Sequence, residues 1–324
     1  MTRLERIIVT SFPIAFLLRK SKHWHLPGFE GVPLYDVIRF FYRQVKTVGL
    51  TERASAIAYN FIMAIPPSFL FLFTLIPQLP FFKKKEILRQ LTLIIRDIIP
   101  AEGYNKNIIK FIEQTFFNTP VFSLLSFGLL LALFFASNAM MGLMRSFNKN
   151  YMGFEKRKGL HNRWIAIRLT ALIFGLVLGC LTLLITQGAV LKWMGVKSPF
   201  WKDFIFYTRW IFIIALIYYS IAFIYKYAPA VQKRWKLVSP GTILATSLSI
   251  IATLGFSAFV NNFGRYNALY GSIGTIIMLM ALIFINSLVL LIGFELNVSI
   301  KSLKLIAEQR EAAERLKAAD KQIT

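Results

Sequence analysis

Apolar residues fall into long runs along this chain, and short segments between the runs carry most of the charge. Six stretches reach the length of about 20 helical residues that a bilayer core requires: 54–76, 121–147, 164–187, 204–228, 238–260 and 269–298. Ahead of the first, and behind Pro33, the residues Leu34, Val37, Ile38, Phe41, Val45 and Val48 recur at spacings of three and four. That period predicts an amphipathic helix at the membrane interface or beneath the bundle. Between the first and second runs, Ile87, Leu88, Leu91, Ile94, Ile95 and Ile98 form one stripe. Pro100 breaks it, and Ile108, Ile109, Ile112 and Phe116 form another. Residues 81–119 are therefore expected to hold two short amphipathic helices on the outer face. The expected fold is all-α: a polytopic membrane protein with six transmembrane helices plus amphipathic interfacial helices. Residues 1–53 form a cytoplasmic lead, 54–298 the membrane domain and 299–324 a cytoplasmic tail, read as a frayed helix from Lys301 to Lys321.

Composition supports the class. Hydrophobic residues make up 56% of the chain and charged ones 16%, with 31 phenylalanines, which is too apolar for a water-soluble domain. The formal net charge of +23 does not require a nucleic-acid partner, because basic residues are expected beside anionic lipid and set orientation. Segments 1–53, 148–163, 229–239 and 298–324 hold roughly twice as many lysines and arginines as 78–119, 188–203 and 261–270, which predicts cytoplasmic termini. Lys83-Lys84-Lys85 runs against that bias. Ile7 to Leu18 is interrupted by Pro13 and followed by Arg19, Lys20 and Lys22, unlike a cleavable signal. The single cysteine, Cys180, lies within the third run and reads as a packing residue.

Candidate chemistry is sparse. The three histidines, His23, His25 and His161, lie outside the runs, and no metal-ligand cluster, phosphate loop or serine-nucleophile motif accompanies them. Neither an enzyme nor a cofactor is expected. Glu295 is the only acidic residue inside an apolar run. It is expensive to expose to lipid, and is therefore a candidate for binding a cation, a proton or a basic group. The alternative is a structural ion pair with Arg53, Arg145 or Arg168. Pro66-Pro67 sits in the middle of the first run, where two missing amide donors predict a break that frees backbone carbonyls. Tyr59 and Asn60 lie one turn and more before it, and with Asn138, Asn286 and Glu295 they are the candidate lining of a substrate path. Asn138 and Asn286 have a plainer alternative as interhelical hydrogen-bonding groups. A third candidate, on the outer face, gathers Asn262, Arg265, Tyr270, Gly271 and Gly274; a simple polar turn and helix start is its alternative.

Three segments carry a resemblance: Ala58-Tyr59 followed by Ala64-Ile65-Pro66-Pro67, then Tyr270-Gly271-Ser272-Ile273-Gly274, then Gly293-Phe294-Glu295-Leu296. Together they resemble the YihY/BrkB family of bacterial inner-membrane proteins over roughly residues 35 to 300. Asn60, Ala64 and Phe294 depart from the family pattern, as does the lack of a tryptophan in the middle of the last run. The resemblance implies six transmembrane helices, cytoplasmic termini and an inner-membrane location. Family members have carried the labels ribonuclease BN and virulence factor, and the molecular activity is unassigned. Two readings follow. One is transport or translocation of a lipid or small solute. The other is a non-catalytic envelope scaffold whose partners are envelope proteins or a second copy of the chain. Membrane lipids are partners in both, and nucleic acid in neither.

Overall fold

A computed structural model of the chain describes residues 20–22, 24, 26–75, 121–148, 151, 153–155, 159–193, 199–231, 234–262 and 265–323, with a few positions between 89 and 110. Seven helices account for most of these: α1 (Leu34–Thr47), α2 (Leu50–Leu75), α3 (Val121–Phe147), α4 (Gly159–Trp193), α5 (Pro199–Tyr227), α6 (Pro240–Asn262) and α7 (Arg265–Ile323). Five stretches of helix among the described residues are long and apolar enough to cross a membrane: 128–147, 159–184, 208–227, 240–260 and 276–316. The protein is an all-α, multi-pass membrane protein. The outer stripes expected at 81–119 and the lysine triplet at 83–85 lie almost wholly outside the described residues.

Local chemistry sets the helix ends. Pro33 precedes α1, and its carbonyl accepts from the amides of Asp36 (3.1 Å) and Val37 (3.2 Å). The helix stops at Val48, whose amide reaches the Gln44 carbonyl, and Gly49 follows at φ +66°. That left-handed position suits glycine and lets α2 begin at once in a new direction. Ser239 caps α6: its hydroxyl accepts from the Thr242 amide at 3.2 Å and its carbonyl from the Ile243 amide at 3.1 Å. Pro240 occupies the first helical position, where a missing amide costs nothing.

Consecutive helices from α3 to α7 pack side by side, and α2 packs against both α3 and α7, so six helices close into a ring. The core lies at one end of it. Ala54 and Ile57 of α2, Leu143 and Phe147 of α3, Leu169 of α4, Tyr225 of α5, Ala245 of α6 and Phe294 of α7 share a single apolar cluster. The loops at this end are stitched together. The Ala230 amide donates to Asn148 Oδ1 at 2.7 Å, and the Ala230 carbonyl accepts from the Glu155 amide at 2.7 Å. Outside the ring, α1 packs on α7 through buried Val37, with Phe29 and Ile300 alongside it.

Three expectations change. The diproline does not interrupt α2, which remains helical from Leu50 to Leu75 with Pro66 and Pro67 inside it. Two prolines remove two hydrogen bonds from a long helix, and regular bonding resumes on either side. The tail is not frayed: α7 runs unbroken through residue 298 to Ile323. Lys304 ties that stretch to Glu30 at 3.0 Å and to Glu308 at 4.0 Å. The polar turn expected around 261–270 has helical backbone at 261–262 and 265–270.

Candidate functional site

Glu295 is fully buried, and α7 aims it at Arg53 on α2, itself only 6% exposed. Arg53 Nη1 donates to Glu295 Oε1 at 2.6 Å, and Nη2 donates to the Ser146 carbonyl at 2.5 Å. Tyr151, in the loop after α3, donates its hydroxyl to the same carboxylate oxygen at 2.6 Å, and Arg53 Nη1 lies 3.3 Å from that hydroxyl. Burial, then the charge and hydrogen bond of Glu295, push the Tyr151 hydroxyl well above its usual range, which keeps it a donor. Of the three arginines offered by the sequence, Arg53 is thus the partner. Arg145 reaches the Met141 carbonyl and Arg168 lies over the Trp164 ring.

Aromatic rings seal the pair. Phe294, the neighbour of Glu295, stacks on Phe147 with centroids 4.0 Å apart, and Trp235 and Tyr225 approach it at 5.5 and 6.3 Å. In such surroundings two opposite charges hold each other strongly, and neither can be bared cheaply. The second carboxylate oxygen, Oε2, and Arg53 Nε are buried without a partner among the described residues. The arrangement is a latch joining α2, α7 and the α3–α4 loop. Beside it, Asn297 accepts from the Gly241 amide and donates to Ser239 Oγ, both at 2.9 Å. This extends the polar contact to the start of α6.

The other sequence candidates do not converge on Glu295. Tyr59 is 59% exposed and points away from the bundle. Asn60 donates to the Ala56 carbonyl at 2.7 Å and packs against Gly142 of α3, where a Cβ would lie 2.7 Å from its amide nitrogen. Asn138 accepts from Arg163, across from α3 to α4. Asn286 accepts from Ser249 and lies 3.5 Å from the Thr253 hydroxyl, joining α7 to α6. Asn138 and Asn286 thus make interhelical hydrogen bonds, whereas that of Asn60 stays within α2. In the outer-face group Gly274 is buried, whereas the side chains of Asn262, Arg265 and Tyr270 lie outside the described residues.

A cavity does reach the diproline segment, with a different lining. It has a volume of about 350 Å³ and lies among α2, α3, α4 and α5, bounded by Ala64, Ile65, Ser68, Ala136, Ile173 and Ile224 among others. That size falls in the range of about 300–1,000 Å³ typical of small-molecule sites. Its walls are almost wholly apolar, and the half-exposed Phe69 ring stands at its edge. Small residues from two helices, Ala64 and the pair Ala136 and Ala139, leave the space. Three hydroxyls border it, on Ser68, Thr170 and Ser220. Thr170 is 4% exposed, and its hydroxyl has no hydrogen-bond partner among the described residues. An unmet buried hydroxyl costs about 1–3 kcal/mol, so a ligand atom or water has something to satisfy there. Neither Thr170 nor Tyr151 stands out in the sequence. Gly128, Ala132 and Ala136 are small residues spaced by four along α3, and Ala136 borders the cavity. Gly175 and Gly179, spaced by four on α4, face open space.

Comparison with known proteins follows the same lines. The family model described as virulence factor BrkB matches residues 41–319. A Bacillus subtilis protein named for its likeness to ribonuclease, YfkH, is 28% identical over 80% of this chain and 92% of its own. UPF0761 membrane proteins from Tolumonas auensis and Haemophilus influenzae are each 24% identical. The first match covers 90% of this chain and 94% of the relative, the second 84% and 96%. No solved structure matches.

Proposed function

This chain belongs to the YihY/BrkB (UPF0761) family of bacterial inner-membrane proteins, and from that premise we propose that it binds a membrane lipid by its acyl chain and serves in moving that lipid across or along the membrane. The observation that carries this reading is the open-sided apolar cavity at the level of Pro66 and Pro67, with the unmet Thr170 hydroxyl in its wall. An apolar lining suits a hydrocarbon chain and offers a small polar solute almost nothing to bind. Of the two substrate classes raised by the sequence, lipid is therefore favoured. In this reading Ala54 onward in α2 is the first of six spans, with both termini cytoplasmic. Ile65 and Ser68, which flank Pro66 and Pro67, form part of the cavity wall, and Glu295 holds the ring closed without touching the lipid.

The chemistry required is binding and passage, so the protein is read as non-enzymatic. Among the described residues no group of three or more His, Cys, Asp or Glu is placed to hold a metal ion. The ribonuclease likeness in the name of the Bacillus relative belongs to that protein, and a basic, mostly membrane-embedded chain gives it no support here. The scaffold reading is favoured by one observation, the filled and sealed end around Glu295 and Phe294.

The test is lipid movement in vesicles holding the purified chain, read with a fluorescent phospholipid. Ala136→Phe fills the cavity, Thr170→Val removes the hydroxyl at constant shape, and Pro67→Ala restores an amide. Ala136→Phe is expected to slow transfer by roughly tenfold or more, equivalent to about 1.4 kcal/mol, while the protein stays folded and abundant. Thr170→Val and Pro67→Ala should have smaller effects in the same direction. Unchanged transfer in all three removes the transport reading and leaves the scaffold.

A further inference from the structure

A second cavity lies on a different face of α4, at the end of the bundle that carries the Arg53–Glu295 latch. Its volume is about 280 Å³, and His161, Arg168, Tyr227 and Arg234 form its polar lining. Ile165 and Leu172 of α4 contribute an apolar wall. Among the described residues no carboxylate lines it. The cations are held by aromatic rings instead. The Arg168 guanidinium lies 4.8 Å from the Trp164 ring centroid, and that of Arg234 lies 5.3 Å from the Tyr227 centroid. Lys226 approaches the same Tyr227 ring at 5.4 Å. Among the described residues neither arginine forms an ion pair with an acidic side chain.

Basic residues that merely set orientation need only be solvated at one side of the membrane. Here guanidiniums from two separate elements, the start of α4 and the α5–α6 loop, converge on one walled cavity. Stacking on an aromatic face orients a guanidinium and leaves its N–H edge free, and that edge matches two oxygens of a phosphate. We propose that this cavity binds a phosphate-bearing anion through Arg168 and Arg234. The shared chemistry fits both the headgroup of an anionic phospholipid and a free phosphate ester. The apolar wall beside the arginines, on a membrane helix, gives a phospholipid's glycerol and upper acyl carbons a surface that a soluble ester does not use. This site is independent of the acyl-chain cavity: it faces another side of α4 and rests on charge rather than on an empty apolar volume.

The experiment uses the full-length purified chain in detergent, with phosphatidylglycerol, phosphatidylcholine or glycerol 3-phosphate added and bound species counted by native mass spectrometry. Phosphatidylglycerol is expected to bind in preference to phosphatidylcholine. The R168Q/R234Q variant should lose that binding by roughly tenfold or more. R310Q/R315Q, which removes the same charge from the tail of α7, should bind as the parent does. Arginine-dependent binding of glycerol 3-phosphate without phosphatidylglycerol binding would uphold the anion site and assign it to a soluble ester. Arg168→Lys keeps the charge and loses the two-pronged geometry, so it should fall between parent and double variant. If the double variant does not fold, Arg234→Gln alone, changed in a loop, carries the test. Equal losses in R168Q/R234Q and R310Q/R315Q, or undiminished binding in a folded R168Q/R234Q, would overturn the proposal.

Discussion

Glu295→Gln leaves Arg53 buried with its charge unmatched, and a buried pair broken on one side costs about 3–5 kcal/mol. The variant should unfold at markedly lower denaturant concentration or temperature in detergent. Arg53→Met combined with Glu295→Leu removes both charges and should recover a large part of the loss, because the aromatic surround of Phe147, Phe294 and Trp235 readily accepts apolar side chains. A proton or cation carrier would behave differently, losing flux in the single variant while keeping its stability. At this scale the sequence was informative about Glu295, since one acid in an apolar run demands a partner, and Arg53 was among the partners it offered. It was silent on Tyr151 and Thr170. A tyrosine in a loop and a threonine in a helix look alike whether satisfied or not, and only the packing of other elements decides.

Helices α6 and α7 meet backbone to backbone at Gly241 and Gly293. A Cβ added at Gly241 would lie 2.1 Å from the Gly293 carbonyl oxygen, and one at Gly293 would lie 2.6 Å from the Gly241 carbonyl oxygen. Gly241→Ala must therefore push the two helices apart, which also strains the Asn297 bond to the Gly241 amide. A loss of about 1–3 kcal/mol is expected for overpacking of this kind, measured as a drop in thermal midpoint against the parent. Gly175→Ala on α4 meets open space and should leave the midpoint unchanged. Helix positions were largely legible in the sequence because apolar run length and punctuation coincide: α3 has the predicted limits, and Ser239-Pro240 opens α6 as a cap. The diproline misled for a physical reason. Its residue-level rule is sound, yet the helix on both sides is long enough to continue through two missing bonds. The tail, expected as a frayed helix because its charges are mixed, continues α7 to Ile323, and Lys304 in it pairs with both Glu30 and Glu308.

At the scale of the whole molecule, the ring of α2 to α7 is closed at one end by the latch and the aromatic cluster, and an apolar cavity lies among α2, α3, α4 and α5. Sequence patterning gave the helices but not their neighbours. It grouped Tyr59, Asn60, Asn138 and Glu295 by polarity and depth, although ring order distributes them over different contacts and turns Tyr59 outward. The cavity itself is made by alanines, which carry no chemical signal until two helices are laid side by side. Its wall includes Ile65 and Ser68, the residues on either side of Pro66 and Pro67, so the diproline adjoins the cavity without lining it. The most direct measurement is a structure of the protein in a lipid nanodisc, resolved well enough to see density between α2 and α4. The lipid-handling account predicts a continuous acyl-chain density alongside Ala136 and Thr170, with the latch at Arg53–Glu295 intact. A cavity filled by inward movement of α2, with Ile65 and Phe69 packed on Ile173 and no room for a chain, would contradict it.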